Sequence, residues 1–164
     1  MSIKVERNYL DIISLKNLSE IDKPYNNFNV RLVNPPDFQL NKFFYKQIGK
    51  KHRWVDRLIW NENQWIKYIN NSNVRTYTLQ DGNNLAGYFE QIIDQKKLEC
   101  EIAYFGILQD YVGKRLGGYL LSQAIKKSFA IGANRVWVHT CSLDHKHALK
   151  NYLSRGMKIF KSEI

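Results

Sequence analysis

The chain is organised around one stretch, 101–121, EIAYFGILQDYVGKRLGGYLL, whose order of residue types could bind an anion and move a proton. Its apolar first part, 102–108, has a strand pattern, and Gln109-Asp110-Tyr111 ends it. A basic loop follows, Val112-Gly113-Lys114-Arg115-Leu116-Gly117-Gly118, and then an amphipathic helix to about residue 131. Strand, glycine loop and helix N-terminus in this order predict an anion site. The first N–H groups of a helix have no partner within it, and the helix dipole favours negative charge there. Glycines at 113, 117 and 118 let a phosphate come close to the backbone. Metal chemistry finds no matching spacing. Cys100 and Cys141 stand in no CxxC pair, and His145 and His147 are two apart, so they do not share a helix face.

The elements that must hold this stretch are read from hydrophobic period and punctuation. Residues 2–7 alternate and predict an edge strand, and 26–33 a second strand stopped by Pro35-Pro36. Asp37 caps a predicted helix over 38–49, ended by Gly49. Asn61 with Gln64 predicts a capping box for a helix over 62–69. A meander follows, 74–79, 85–93 and 98–108, turning at Asp81-Gly82-Asn83-Asn84 and again at 94–97. Gly106 in its third strand predicts a bulge or a close ligand approach. After the long helix, 135–140 reads as a buried strand parallel to the third meander strand. Asp144 is then expected to cap a helix carrying Ala148, Leu149, Tyr152 and Leu153, and 157–161 is a last strand. The result is an α+β chain, with a mixed, mostly antiparallel sheet flanked by helices.

Composition bounds the function classes. At 164 residues a single domain over 1–164 is expected, large enough for a real core. The net charge of +10 implies an anionic partner: nucleic acid, a membrane surface or a polyphosphate. The lysines and arginines are dispersed, and no RNP-like or helix-turn-helix pattern occurs, so nucleic acid ranks last. The first residues lack the apolar core of a signal peptide, and no run approaches a membrane span, so a cytoplasmic protein with reduced thiols is expected.

Three segments in register carry a family resemblance. They are the strand at 99–108 with the loop at 112–118, the strand VWVHT at 136–140, and ALKNYLSRGM at 148–157. Together they resemble a GNAT-type N-acetyltransferase over about residues 74 to 160. The segment DRLIWNENQWIKYI, 56–69, is similar to a bacterial subgroup of that family. The family's phosphate loop is [QR]-x-x-G-x-[GA]. Here Val112 takes the opening position, Arg115 the middle glycine and Gly117 the last.

The resemblance implies a single acyl-CoA N-acyltransferase domain that moves an acetyl group from acetyl-CoA to a primary amine, by direct attack in a ternary complex and without a metal. It implies that Val112, Gly113, Lys114, Arg115, Leu116, Gly117 and Gly118 hold the pyrophosphate. Phe105, Gly106 and Ile107 offer backbone to the pantetheine arm, with the Ile107 N–H facing the thioester oxygen. Tyr152 is the implied acid for the leaving thiolate. Glu101 is the implied base, with Glu99 on the same strand face or a water relay left open. Trp60 is a candidate for the acceptor wall. The acceptor itself, a small-molecule or protein amine, stays open, as does homodimerisation. The changes at Val112 and Arg115 motivate one alternative, a non-catalytic acyl-CoA-binding or regulatory module of the same fold.

Overall fold

The computed structural model describes residues 4–24 and 27–164. Seven strands form one sheet: β1 (Arg7–Ile12), β2 (Phe28–Leu32), β3 (Val74–Asp81), β4 (Asn84–Asp94), β5 (Glu99–Ile107), β6 (Arg135–Cys141) and β7 (Lys158–Glu163). Their order across the sheet is β2-β3-β4-β5-β6-β1-β7. Every adjacent pair is antiparallel except β5 and β6. Four helices cover it: α1 (Phe38–Gly49), α2 (Glu62–Ile69), α3 (Leu116–Ala130) and α4 (Ala148–Ser154).

Local chemistry sets the helix starts. Asp37 accepts from the Gln39 N–H at α1, and Asn61 and Gln64 form a reciprocal capping box at α2. Each such cap is worth about 1 kcal/mol. The alternation of side chains along the strands then sorts the two faces. Leu10, Ile12, Ile102, Val136 and Val138 point to one face, where they bury against Leu120, Leu121, Ala124 and Ile125 of α3. Burying each such side chain contributes about 1.5–3 kcal/mol. On the opposite face Phe44 and Ile48 of α1 pack on Tyr88, with Tyr104 and Trp54 against them.

Three expectations are corrected. The first strand runs over Arg7–Ile12, not 2–7, because pairing with β6 is what buries Leu10 and Ile12. It lies between β6 and β7 and is no edge. Residues 2–3 and Asn26 of the predicted strands lie outside the described residues. Asp144 does not cap α4. It accepts instead from the Thr140 hydroxyl and the Cys141 N–H, and His147 precedes the helix with no side-chain cap bond. The bulge in β5 falls at Ala103, where the register jumps from Gln91↔Ile102 to Glu90↔Tyr104. Only the bulge half of the Gly106 expectation is corrected: Gly106 makes room for α1, since a Cβ there would stand 2.6 Å from Ile48 Cγ2, and it lines the cleft between β5 and β6.

Candidate active site

The parallel pairing of β5 and β6 is short. It runs from Glu99↔Arg135 to Glu101↔Trp137 and stops. Beyond it β5 stays with β4 as far as Gly87↔Ile107, while β6 stays with β1 as far as Arg7↔Cys141. The bulge at Ala103 lies where the two strands part, and a bulge bends its strand. The parted strands open into a cleft of about 1020 Å³. Its lining comes from β5 between Ile102 and Ile107, from His139 and Cys141 of β6, from Asn151 and Tyr152 of α4, and from the α1–α2 connection at Trp54, Val55 and Asp56. The Leu108 N–H is spent on the Ala86 carbonyl of β4. Backbone groups alternate sides along a strand, so the N–H groups of Phe105 and Ile107 turn away from β4, toward the gap.

The glycine loop closes one end of the cleft, which Val112, Gly113, Arg115, Leu116, Gly117 and Gly118 all line. Lys114 does not; its ammonium stands 5.3 Å from the Tyr111 ring centre. Unlike α1 and α2, α3 starts without a side-chain cap: Arg115 holds φ 62° and ψ 15° and makes no cap bond. Left-handed backbone costs a non-glycine residue about 1–2 kcal/mol. Position 115 thus keeps a conformation that glycine favours although the residue is arginine. Gly113 is also left-handed, and nothing lies within 4 Å of where its Cβ would be. An open loop leading to an uncapped helix N-terminus fits a phosphate, whose oxygens supply the acceptors that a side-chain cap would otherwise give. The gap beside Phe105 and Ile107 fits an amide-bearing arm, which can pair with free strand backbone.

Tyr152 is buried and lines the cleft, with its ring 6.4 Å from that of Phe105. Burial, and after it the charge of Asp144, pushes its phenol well above the usual tyrosine value, so it stays protonated. Glu101 stands on the face of β5 opposite α3 and is not part of the cleft lining. Its Oε2 is 3.7 Å from Nε2 of His139, which does line it. Burial raises the Glu101 pKa, offset in part by Arg57. Burial and the neighbouring Arg7 lower that of His139. Both groups are drawn toward their neutral forms. Glu99 is turned to another partner, with its carboxylate 3.4 Å from Arg135. Trp60 does not line the cleft. It packs on Trp65 and Tyr68, with the Arg57 guanidinium 4.8 Å from its ring, and it is Trp54 that reaches the cleft wall.

Comparison with known proteins adds a decisive match. The family model described as Acetyltransferase (GNAT) family covers residues 38–157, well over half of the chain. The protein belongs to the GNAT acetyltransferase family. It is accordingly an acyltransferase of the N-acetyltransferase class. No curated protein matches it by sequence. Among solved structures, a GCN5-related N-acetyltransferase from Sphaerobacter thermophilus is similar with TM-score 0.73 and 12% identity, over 96% of this chain and 49% of that one. This chain therefore spans about half of that protein. An aminoglycoside acetyltransferase from an uncultured soil metagenomic sample, in complex with trehalose, is similar with TM-score 0.68 and 14% identity, over 81% of this chain and 90% of that one. A Bacillus subtilis acetyltransferase in complex with CoA is similar with TM-score 0.59 and 19% identity, over 79% and 75%. At these identities the likeness establishes the GNAT fold.

The cleft gathers histidines that the sequence reading set aside as structural or surface residues. All four histidines of the chain, His52, His139, His145 and His147, line the cleft. Three of them sit in two separate connections, so no spacing announced them. His139 was legible in principle: alternation along VWVHT places it on the face that Glu101 takes on β5. Among the described residues no group of three or more His, Cys, Asp or Glu side chains is placed to hold a metal ion. Likewise, no helix among them is long and apolar enough to cross a membrane.

Proposed function

We propose that this chain, as one domain over 1–164, transfers the acetyl group of acetyl-CoA to a primary amine by direct attack within a ternary complex. The observation that carries this reading is the parting of β5 from β6 beside an uncapped, glycine-bearing helix start. Acetyl-CoA, when bound, supplies an activated acetyl group and a thiolate leaving group. The first-turn N–H groups of α3, with Gly113 and Arg115, bind its phosphates, and Lys114 adds charge from outside the cleft. The Ile107 N–H stabilises the oxygen on which negative charge develops. Tyr152 donates to the departing sulfur. His139 takes a proton from the incoming ammonium, the free amine so formed attacks the thioester carbon, and Glu101 behind His139 steadies the imidazolium. The acceptor is a small-molecule or protein amine, and the compartment this reading favours is the cytoplasm.

Calorimetric titration with acetyl-CoA, against ATP as comparator, tests the donor. Micromolar binding that depends on the pantetheine arm is the expected result, and binding no better than ATP sinks the reading. Transfer is then sought across an amine panel. Binding without transfer to any amine would leave a CoA-binding module in place of an enzyme.

The base has its own test. Glu101→Gln and His139→Gln should each lower kcat/KM at pH 7 by on the order of a hundredfold. The base must be deprotonated to act, so wild-type activity rises with pH. Burial and Arg7 lower the His139 pKa, so the rise contributed by this base falls below the ordinary imidazole range and not above it. The loss in both variants should shrink as pH nears the amine's own pKa, about 10, because free amine needs no base. Full turnover in both at pH 7 removes the pair from the mechanism.

A further inference from the structure

Arg155 forms no ion pair with an acidic side chain among the described residues. It follows α4 and lines the cleft beside Gly117, Gly118 and Asn151. A Cβ built on Gly118 would stand 2.5 Å from Arg155 Nη1, so the guanidinium rests directly on the first turn of α3. That is the positive end of a 15-residue helix, where a cation is disfavoured by the dipole. Arg155 Nη1 donates to Asn151 Oδ1 at 3.2 Å, and Asn151 is itself fixed by donating to the Gly117 carbonyl at 3.1 Å. A neutral amide orients the guanidinium without balancing it. The Nε atom is buried and has no hydrogen-bond partner among the described residues. Burial holds its pKa below the ordinary arginine value.

Partly desolvating a cation at a positive helix end is unfavourable on two counts unless an anion completes the arrangement. We propose that Arg155 is a ligand for a phosphate of the acyl-CoA donor, completing from α4 the anion site that the loop at 112–118 begins. This rests on the reading of the cleft as the CoA site. The geometry gives Gly118 a part in it. Any side chain there would push the guanidinium off the helix start, so the glycine admits Arg155 as well as the ligand.

The test is calorimetry on wild type, Arg155→Gln and Arg155→Lys with CoA, dephospho-CoA and pantetheine, alongside thermal unfolding without ligand. Arg155→Gln should weaken CoA roughly tenfold to a hundredfold, the worth of a charge-assisted hydrogen bond, and Arg155→Lys should recover part of it. Pantetheine, which has no phosphate, should bind the variants and wild type alike. The unliganded melting temperature should hold or rise, because an uncompensated charge has been removed. An equal loss for CoA and dephospho-CoA assigns Arg155 to the pyrophosphate. A loss confined to CoA assigns it to the 3′-phosphate, and either supports the proposal. Wild-type affinity for CoA in Arg155→Gln overturns it, as does a loss shared by pantetheine with a lower melting temperature, the mark of a merely structural arginine. Wild-type protein that binds no CoA at all overturns the reading of the cleft together with the proposal.

Discussion

Arg57→Met is expected to cost about 3–5 kcal/mol of folding stability, the toll of leaving one member of a buried ion pair alone. Arg57 is 6% exposed and Glu90 0%, with Nη1 3.0 Å from Oε1. Glu90 also accepts from the Tyr68 hydroxyl at 2.6 Å and from Asn41 at 2.8 Å, so its carboxylate is saturated by donors from α1, α2 and the connection between them. Around the guanidinium stand five rings, from Tyr104 at 4.1 Å to Tyr45 at 5.7 Å. With Arg57 gone, Glu90 must stay charged without a cation or take up a proton, and both are costly in that setting. For a chain of this length the melting temperature should drop on the order of 10 °C. Adding Glu90→Gln should return more than half of the loss, because a neutral amide tolerates the site and still accepts from Tyr68. Urea unfolding of the single and double variants measures this. A loss under about 1 kcal/mol for Arg57→Met would show that the rings, not the ion pair, hold the connection. Arg57 also anchors the strip Trp54–Asp56 that lines the cleft. Below the melting point the variant should therefore raise the acceptor KM while leaving CoA affinity nearly unchanged.

Nothing in the sequence pointed to that pair, and the reason is physical. Arg57 and Glu90 are 33 positions apart, and each sits in a pattern that reads locally as a solvated charge among aromatics. Signals carried within a few residues were legible. Asp37 before α1 and Asn61 with Gln64 before α2 fixed those helix starts, because a cap is a contact between near neighbours. The glycine loop was legible for the same reason, and the parallel strand after it from the order strand, helix, strand. Asp144 misled because the same side-chain oxygen that can cap a helix is taken by Thr140 and Cys141 at the end of β6. The first strand was placed too early because its register is decided by what Leu10 and Ile12 bury against, a tertiary fact. Trp60 was expected on the acceptor wall from its segment alone; the turn of the connection packs it on Trp65 and Tyr68 and brings Trp54 to the cleft lining. The face of His139 needed only strand parity, yet its neighbour Glu101 at 3.7 Å comes from the pairing of β5 with β6, a tertiary fact.

Tyr152→Phe should lower kcat by about 10²–10⁴, the usual range for a positioned proton donor. Acetyl-CoA affinity should stay within a few-fold of wild type, and stability should hardly move, because phenylalanine keeps the contact with Phe105. The phenol pKa is raised by burial and by Asp144, so the group is a protonated donor through the whole working range. The wild-type profile should therefore show no basic limb from this residue below about pH 10. A raised phenol pKa opposes giving up a proton to a thiolate, whose ordinary pKa is about 8.5. The same cleft resolves this: a thiolate formed beside Phe105 and Tyr152 is itself poorly solvated, so its own affinity for a proton rises as well. In the proposed mechanism the hydrogen bond from Tyr152 then strengthens as charge builds on sulfur, and that growth would be its catalytic contribution. The leaving group offers a further check. An acetyl thioester of a more acidic thiol, carrying the same nucleotide end, needs the proton less, so Tyr152→Phe should slow it less than it slows acetyl-CoA. An equal loss for both donors would mean that Tyr152 positions the donor and does not protonate it.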